Sequence, residues 1–166
     1  MNNNQEKRRM AAVKGVKVVA DNRKAYHEYF IEEKIEAGIE LSGTEVKSIR
    51  QGNINIKESY VNIRDGEIWL VGCHISPFEQ GNRSNKDPLR TRKLLMHKRE
   101  IMRLFGIVRQ QGLTLIPTLC YFRNGKVKIE VGVARGKKNY DKRQSIAARD
   151  AKITIARQLK ERRSVE

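Results

Sequence analysis

The chain has 166 residues, with 35 Lys or Arg against 19 Asp or Glu and a net charge of +16. That length fits one domain plus a tail rather than two ordinary domains, and 39% apolar residues suffice for one core. No apolar run approaches the roughly 18 residues that span a bilayer, and no apolar stretch of a secretory signal follows Met1-Asn-Asn-Asn-Gln-Glu-Lys-Arg-Arg9, so a cytoplasmic protein with no membrane partner is expected.

Residues 1–25 lack steady periodicity apart from Val16-Lys-Val-Val19 and are expected to form a basic N-terminal arm. His27-Glu-Tyr-Phe-Ile-Glu-Glu33 and Ile35-Glu-Ala-Gly-Ile-Glu-Leu41 read as strands. Thr44 is placed to cap a short helix through Val46, Ile49 and Arg50 that stops at Gly52. Ser59-Tyr-Val-Asn-Ile-Arg64 and Glu67-Ile-Trp-Leu-Val71 flank Asp65-Gly66, a strong hairpin signal. The polar stretch 76–92 is longer than a usual connection, which predicts a functional or disordered loop. Ile101, Leu104, Phe105 and Val108 form one helical stripe over 98–111, with Gly112 as the stop. Leu113–Phe122 and Lys126–Val133 flank Asn124-Gly125, a second hairpin. Residues 143–162 have helical composition but no continuous apolar stripe, so a tail disordered alone and helical on a partner is expected.

About six strands and two helices inside 26–133 predict a mainly β fold. The best fit is a closed antiparallel barrel of the oligonucleotide-binding type, with two helices packed against it and a basic tail over 134–166. An open α+β sheet is the alternative.

The charge is unevenly placed. Residues 1–24, 80–103 and 134–166 carry net charges of +5, +6 and +7, whereas the remaining stretches sum to −2. Basic appendages around a near-neutral body fit a polyanion, above all nucleic acid. In the internal segment, Arg90, Arg92 and Lys93 follow Pro88 closely. A stiffened loop presenting guanidinium groups is suited to phosphate, and Leu94 and Leu95 anchor it or offer an apolar surface to a base. At the start of the tail, Lys137, Lys138, Lys142 and Arg143 surround Tyr140, an arrangement suited to stacking on a base between neutralised phosphates.

Enzymatic signatures are weak. His27, His74 and His97 stand apart without metal-ligand spacing. Cys73 and Cys120 are 47 positions apart and form no CxxC, so two reduced thiols are expected rather than a disulfide framework. Cys73 and His74, as strand neighbours, point to opposite faces. Glu32, Glu33 and Glu36 read as an exposed acidic edge rather than an acid–base site. No phosphate-binding loop or nucleophile elbow is present. A binding protein is expected, without catalytic residues, cofactor or metal.

Five blocks in order carry a more specific signal. They are His27-Glu-Tyr-Phe-Ile-Glu-Glu33, Glu36-Ala-Gly38, Gly43-Thr-Glu-Val-Lys-Ser-Ile-Arg-Gln-Gly52, Asp87-Pro-Leu-Arg-Thr-Arg-Lys-Leu-Leu95 and Gly132-Val-Ala-Arg-Gly-Lys-Lys-Asn-Tyr-Asp-Lys-Arg143. Together they closely resemble the small protein B (SmpB) family, the bacterial partners of transfer-messenger RNA (tmRNA). The resemblance implies a closed oligonucleotide-binding barrel that binds the tRNA-like domain of tmRNA. It also implies a tail that enters the decoding centre and empty mRNA channel of the small ribosomal subunit on a stalled ribosome. Alanyl-tmRNA would arrive with elongation factor Tu, leading to trans-translation. By matched position it implies tmRNA contacts at Glu36, Leu95 and Lys128, and it matches His27 to the family's histidine. The decoding-centre segment matches Gly136, Lys137, Lys138, Tyr140, Asp141, Lys142 and Arg143. Two places depart from the family pattern: Tyr26 stands where a basic residue is usual, and Thr118, Leu119 and Cys120 alter one strand.

Overall fold

Both Asx-Gly pairs turn the chain as their chemistry predicts. Asp65 and Gly66 have φ of 53° and 71°, and Asn124 and Gly125 have 50° and 77°. Positive φ at both central residues is the type I′ geometry that matches strand twist. The structure, a computed structural model, describes residues 15–163; the first 14 residues of the expected N-terminal arm and the last three of the tail lie outside the described residues.

The elements run β1 (Val16–Asp21), α1 (Arg23–Glu28), β2 (Tyr29–Ile39), α2 (Gly43–Arg50), β3 (Ile54–Asn55), β4 (Tyr60–Arg64), β5 (Glu67–Val71), β6 (His74–Ile75), β7 (Arg92–Leu95), α3 (Lys98–Gln111), β8 (Thr114–Arg123), β9 (Lys126–Gly136) and α4 (Asn139–Arg163). A 3₁₀ turn over Glu79–Ser84 interrupts the long loop. Seven strands form one antiparallel sheet in the order β1-β8-β4-β5-β7-β2-β9, and β8 also pairs with β9. The β3 and β6 strands form a separate pair.

Several local details differ from the sequence expectation. Order extends below residue 26, because β1 pairs with β8 from Val16 opposite Arg123 to Asp21 opposite Leu119. Asn22 then caps α1, its side chain accepting from Ala25 N–H at 3.1 Å. The same side chain donates to the Pro117 carbonyl at 3.0 Å, tying the helix start to β8. His27 therefore lies in the last turn of α1 rather than on a strand. The two strands expected over 27–41 are one continuous β2, with a register shift between Ile31 and Glu33. Ser42, not Thr44, caps α2. Its hydroxyl accepts from Glu45 N–H at 3.4 Å while the Glu45 carboxylate accepts from Ser42 N–H at 2.8 Å, a capping box. In α3, Ile101 and Leu104 are buried, whereas Phe105 is exposed beneath the Arg109 guanidinium.

Strand alternation sorts the core from the surface. Val127, Ile129, Val131 and Val133 of β9 point inward with Ala37 and Ile39 of β2, Ile68 and Leu70 of β5, and Leu94 of β7. A smaller cluster of Ala25, Ile116 and Ala134 docks α1 on the opposite face of β8 and β9. The altered strand is accommodated: Cys120 joins the core, and buried Thr118 donates to the Glu130 carboxylate at 2.5 Å.

One expectation is overturned by burial. Arg92 was expected to meet phosphate, but its side chain is 0% exposed. Its Nε donates to Glu45 Oε1 at 2.9 Å, its Nη1 to the Cys73 and Arg90 carbonyls, and its Nη2 to the Pro88 carbonyl. Arg90 donates to both oxygens of the same carboxylate, at 2.8 and 2.6 Å. The long loop is thus pinned to α2 through one buried glutamate. A guanidinium carries five donors in a fixed fork, four of them are engaged here, and full burial closes the side chain to an outside ligand.

Burial of the Glu45 carboxyl works to raise its pKa, but hydrogen bonds from Arg90 and Ser42 and the charge of Arg92 hold it down at about 2. A carboxylate depressed in the folded state stabilises above its unfolded pKa and loses that contribution as pH falls toward its folded one. Glu45→Gln should therefore cost stability at neutral pH. The gap between wild type and variant in urea denaturation should close between about pH 4.5 and 2, by on the order of 3 kcal/mol. A gap that stays constant with pH would show that Glu45 does not supply the acid sensitivity.

Candidate nucleic-acid interface

Where side chains of β2, β7, β8 and β9 point away from the core, four strands bring distant residues into one row. Gly38 of β2 lies opposite Leu95 of β7 on one side and opposite Lys128 of β9 on the other. Lys128 in turn lies opposite Tyr121 of β8. Glu36, two residues before Gly38, shares its face. Residues from positions 36, 95 and 128 thus meet on one surface, although no local pattern links them.

Glycine at position 38 has a packing reason. A Cβ built there would sit 3.1 Å from the Cβ of Leu95, so only a bare backbone lets Leu95 lie across β2 without displacement. Leu95 is left 52% exposed, an apolar surface beside charged neighbours.

Glu36 is the hub of that charge. Its carboxylate accepts the Tyr121 hydroxyl, pairs with Arg123 Nη1 at 2.6 Å and stands 3.8 Å from Lys128 Nζ. The Arg123 guanidinium also lies over the Tyr121 ring, 5.6 Å from its centroid. Glu36 is therefore held from two sides, while its contact with Lys128 is loose. Sequence reasoning missed Gly38 and Arg123 on this surface, and Tyr121, which is buried and supports Glu36 from beneath. The last two stand just before the Asn124-Gly125 turn, but only the register reveals what they face.

The other candidates divide. Lys93 lies on the outer face of β7, paired with Glu67 at 3.1 Å. Arg90 is partly exposed but committed to Glu45. His27, exposed on α1, is set apart from the row: Glu36 lies seven positions beyond the start of β2, about 23 Å at strand rise. His27 instead neighbours the root of the tail. There Gly136 pairs with Tyr29, and Lys137 N–H donates to the Glu28 carbonyl. Lys137 Nζ bridges the Tyr26 carbonyl and Ser145 Oγ, each at 3.1 Å, and lies 4.8 Å from the Phe30 ring centroid. Asp141 accepts from Lys138 N–H at 3.1 Å at the head of α4. Lys138, Tyr140 and Arg143 are exposed, and Asp141 and Lys142 are half-buried. Tyr26, the second family departure, holds the Lys34 ammonium 4.9 Å from its ring centroid.

The acidic side chains of β2 are paired: Glu32 with Arg135, Glu33 with Arg103 and Glu36 with Arg123. Cys73 and Cys120 are buried, and burial pushes both thiols up, Cys73 to about 11, which leaves little thiolate for nucleophilic chemistry. Among the described residues no three His, Cys, Asp or Glu side chains are grouped to hold a metal ion. No described helix is long and apolar enough to cross a membrane.

Burial and the hydrogen bond to Glu36 both push the Tyr121 phenol above its usual range. Tyr121 should stay protonated where exposed phenols ionise, read as the 295 nm absorbance difference between wild type and Tyr121→Phe. Glu36→Gln should shift that titration back toward lower pH. An unchanged curve in the Gln variant would remove Glu36 as the acceptor.

The family described as SmpB protein matches residues 19–161. An SsrA-binding protein of Desulfitobacterium hafniense (strain DSM 10664 / DCB-2) is 63% identical over 150 residues, covering 90% of this chain and 96% of the relative. One of Ruminiclostridium cellulolyticum is 66% identical over 146 residues, covering 88% and 95%. A solved chain described as "tmRNA-SmpB: a journey to the center of the bacterial ribosome" is 46% identical with a TM-score of 0.62, covering 76% of this chain and 93% of that one. With the family match and these relatives spanning almost all of the ordered body, the chain belongs to the SmpB family.

Proposed function

We propose that this chain is a tmRNA-binding ribosome-rescue factor: its body holds the tRNA-like domain of tmRNA and its tail probes a stalled ribosome. The observation that carries the reading is the row through Gly38. Three positions matched to the family's RNA contacts, Glu36, Leu95 and Lys128, stand together on an outer face whose alternate residues build the core. The names of the relatives and of the solved chain support the same partner.

The strand pairings favour a closed barrel of the oligonucleotide-binding type. Starting at β8 they pass through β4, β5, β7, β2 and β9 and return to β8. A closed barrel removes free edges and keeps its faces rigid, so a folded RNA meets a preformed surface and little ordering entropy is lost. On that surface each group has a distinct task. Lys128, only loosely paired, turns to phosphate. Glu36, held by Tyr121 and Arg123, accepts hydrogen bonds from a base edge. Leu95 covers an apolar face of a base or sugar. Lys93 and Arg90 border the surface, whereas Arg92 builds it from within. No step of this function makes or breaks a covalent bond.

The tail works differently. The 25 residues of α4 span roughly 37 Å at helical rise. Every residue from Ile146 to Lys160 is exposed, so the helix gains almost nothing from packing and is marginal on its own. An RNA-walled channel supplies the missing partner: phosphates neutralise Arg149, Lys152, Arg157 and Lys160, and the helix becomes stable where mRNA is absent. Lys138, just before the helix, and Tyr140, Lys142 and Arg143 in its first turns form the segment that meets the decoding centre, with Gly136, Lys137 and Asp141 setting its start and His27 beside it. Residues 1–25, 26–133 and 134–166 then serve as basic arm, RNA-binding body and ribosome-sensing tail. Alanyl-tmRNA with elongation factor Tu completes the assembly in the cytoplasm.

Competition binding separates shape recognition from charge. Labelled tRNA-like domain should resist unlabelled single-stranded RNA of equal length by at least about 100-fold at elevated salt, where counterion release has weakened non-specific contacts. Equal competition would mean that only the net charge binds. Lys128→Ala should weaken binding and lower the salt slope by about one, and Leu95→Ala should weaken it with the slope unchanged.

Removing residues 144–166 should leave affinity for the tRNA-like domain intact and abolish tagging of stalled peptides in a reconstituted translation reaction. Normal tagging by the truncated protein would overturn the role given to the tail.

A further inference from the structure

The β4–β5 hairpin carries an aromatic and a cation that none of the matched positions includes. Trp69 is the only tryptophan in the chain. It lies opposite Asn62 of β4 and opposite Lys93 of β7. Its inner-face neighbours Ile68 and Leu70 belong to the core, so alternation puts Trp69 on the outer face. It is half-buried there. Arg64, exposed beside the turn, places its guanidinium over the indole, 5.9 Å from the ring centroid.

Two facts distinguish this pair from an ordinary surface contact. Arg64 is free to take an anion. The carboxylate across the hairpin from it, Glu67, is occupied by Lys93 at 3.1 Å and by Lys98 at 2.7 Å, and among the described residues Arg64 has no carboxylate partner. The pair is also continuous with the Leu95 surface. Lys93 lies opposite Trp69, and Leu95 follows two residues later on the same face of β7. From Lys128 to Trp69 is three strand spacings and a two-residue offset, about 16 Å along the sheet, within reach of one bound RNA.

The geometry points to Arg64 stacked on Trp69 as a further RNA-binding element, one that takes an unpaired nucleotide of the RNA held on the Leu95 and Lys128 row. This assignment rests on the tmRNA reading given above. A guanidinium held over an indole at this distance can settle one face on the ring and offer the other to a base, and its edge donors remain free for phosphate. Lys93 and Lys98 add positive charge beside it. An unstacked base thereby completes a layered arrangement of indole, guanidinium and base.

The single tryptophan makes the test direct. Purified tRNA-like domain RNA is titrated into the full chain while intrinsic fluorescence and anisotropy of end-labelled RNA are both followed. The Trp69 emission should change over the same concentration range as binding. Arg64→Ala and Trp69→Leu should each weaken binding by roughly 5- to 100-fold, the span of one stacked base. Arg64→Lys, which keeps the charge and loses the planar fork, should recover only part of the loss. Urea midpoints within experimental error of wild type for Arg64→Ala would confirm that the loss is not unfolding. Lys128→Ala serves as the control for the underlying reading. If Lys128→Ala weakens binding but Arg64→Ala and Trp69→Leu do not, the stacked pair is overturned and the tmRNA face stands. If all three bind as wild type, both fail. Full recovery by Arg64→Lys, or emission unchanged at saturation, would reduce Arg64 to a point charge and overturn the stacking assignment.

Discussion

A buried guanidinium decides which way β7 faces. Arg92 enters the interior and meets Glu45 together with three backbone carbonyls. Because strand residues alternate, Leu94 goes inward with it and Lys93 and Leu95 go outward. A slip of one residue would bury Leu95 and expose Leu94. Two arginines share the Glu45 carboxylate, and its backbone position in a capping box fixes the head of α2. The same ion cluster therefore anchors α2, closes the long loop and orients the strand that carries Lys93 and Leu95. Removing one partner from such a buried pair leaves an uncompensated charge, typically a loss of about 3–5 kcal/mol, so this part of the molecule is rigid for a reason.

The outer surface shows how few side chains need to be placed once that orientation exists. Gly38 contributes by having no side chain, which lets Leu95 lie across the strand. Tyr121 and Arg123 hold Glu36 in a set position before any ligand arrives. This is preorganisation: the ordering cost is met during folding rather than during binding. Lys128, by contrast, keeps a loose contact at 3.8 Å and can exchange its carboxylate for a phosphate with little loss. A surface with both held and releasable charges suits an RNA of defined shape better than a generic polyanion.

Body and tail follow opposite physical regimes. The body buries a continuous apolar cluster and is nearly neutral over its strands. The tail buries no side chain between Ile146 and Lys160 and holds much of the basic excess. Lys137 joins the two regimes, linking the Tyr26 carbonyl, the Phe30 ring and Ser145. Its position marks where the packed part ends and the exposed helix begins.

Local chemistry made much of the architecture legible from the residues alone. Asp65-Gly66 and Asn124-Gly125 specified two hairpins because type I′ turns require positive φ that few other pairs accept. The stripe over 98–111 and the break at Gly112 marked a helix, and the uneven charge separated body from appendages. The matched blocks led to the family and through it to Glu36, Leu95 and Lys128. What remained hidden depended on partners distant in sequence. Arg92 reads as an exposed phosphate ligand until Glu45, 47 positions away, is found beside it. The role of Asn22 depends on carbonyls of Ile56 and Pro117, and Tyr121 and Arg123 gain meaning only from facing Glu36. Turn and helix signals are written in neighbouring residues, so sequence alone determined them. Whether a charge is buried or offered to a ligand is an energy of solvation and pairing, and only the tertiary structure, by bringing the partners together, could decide it.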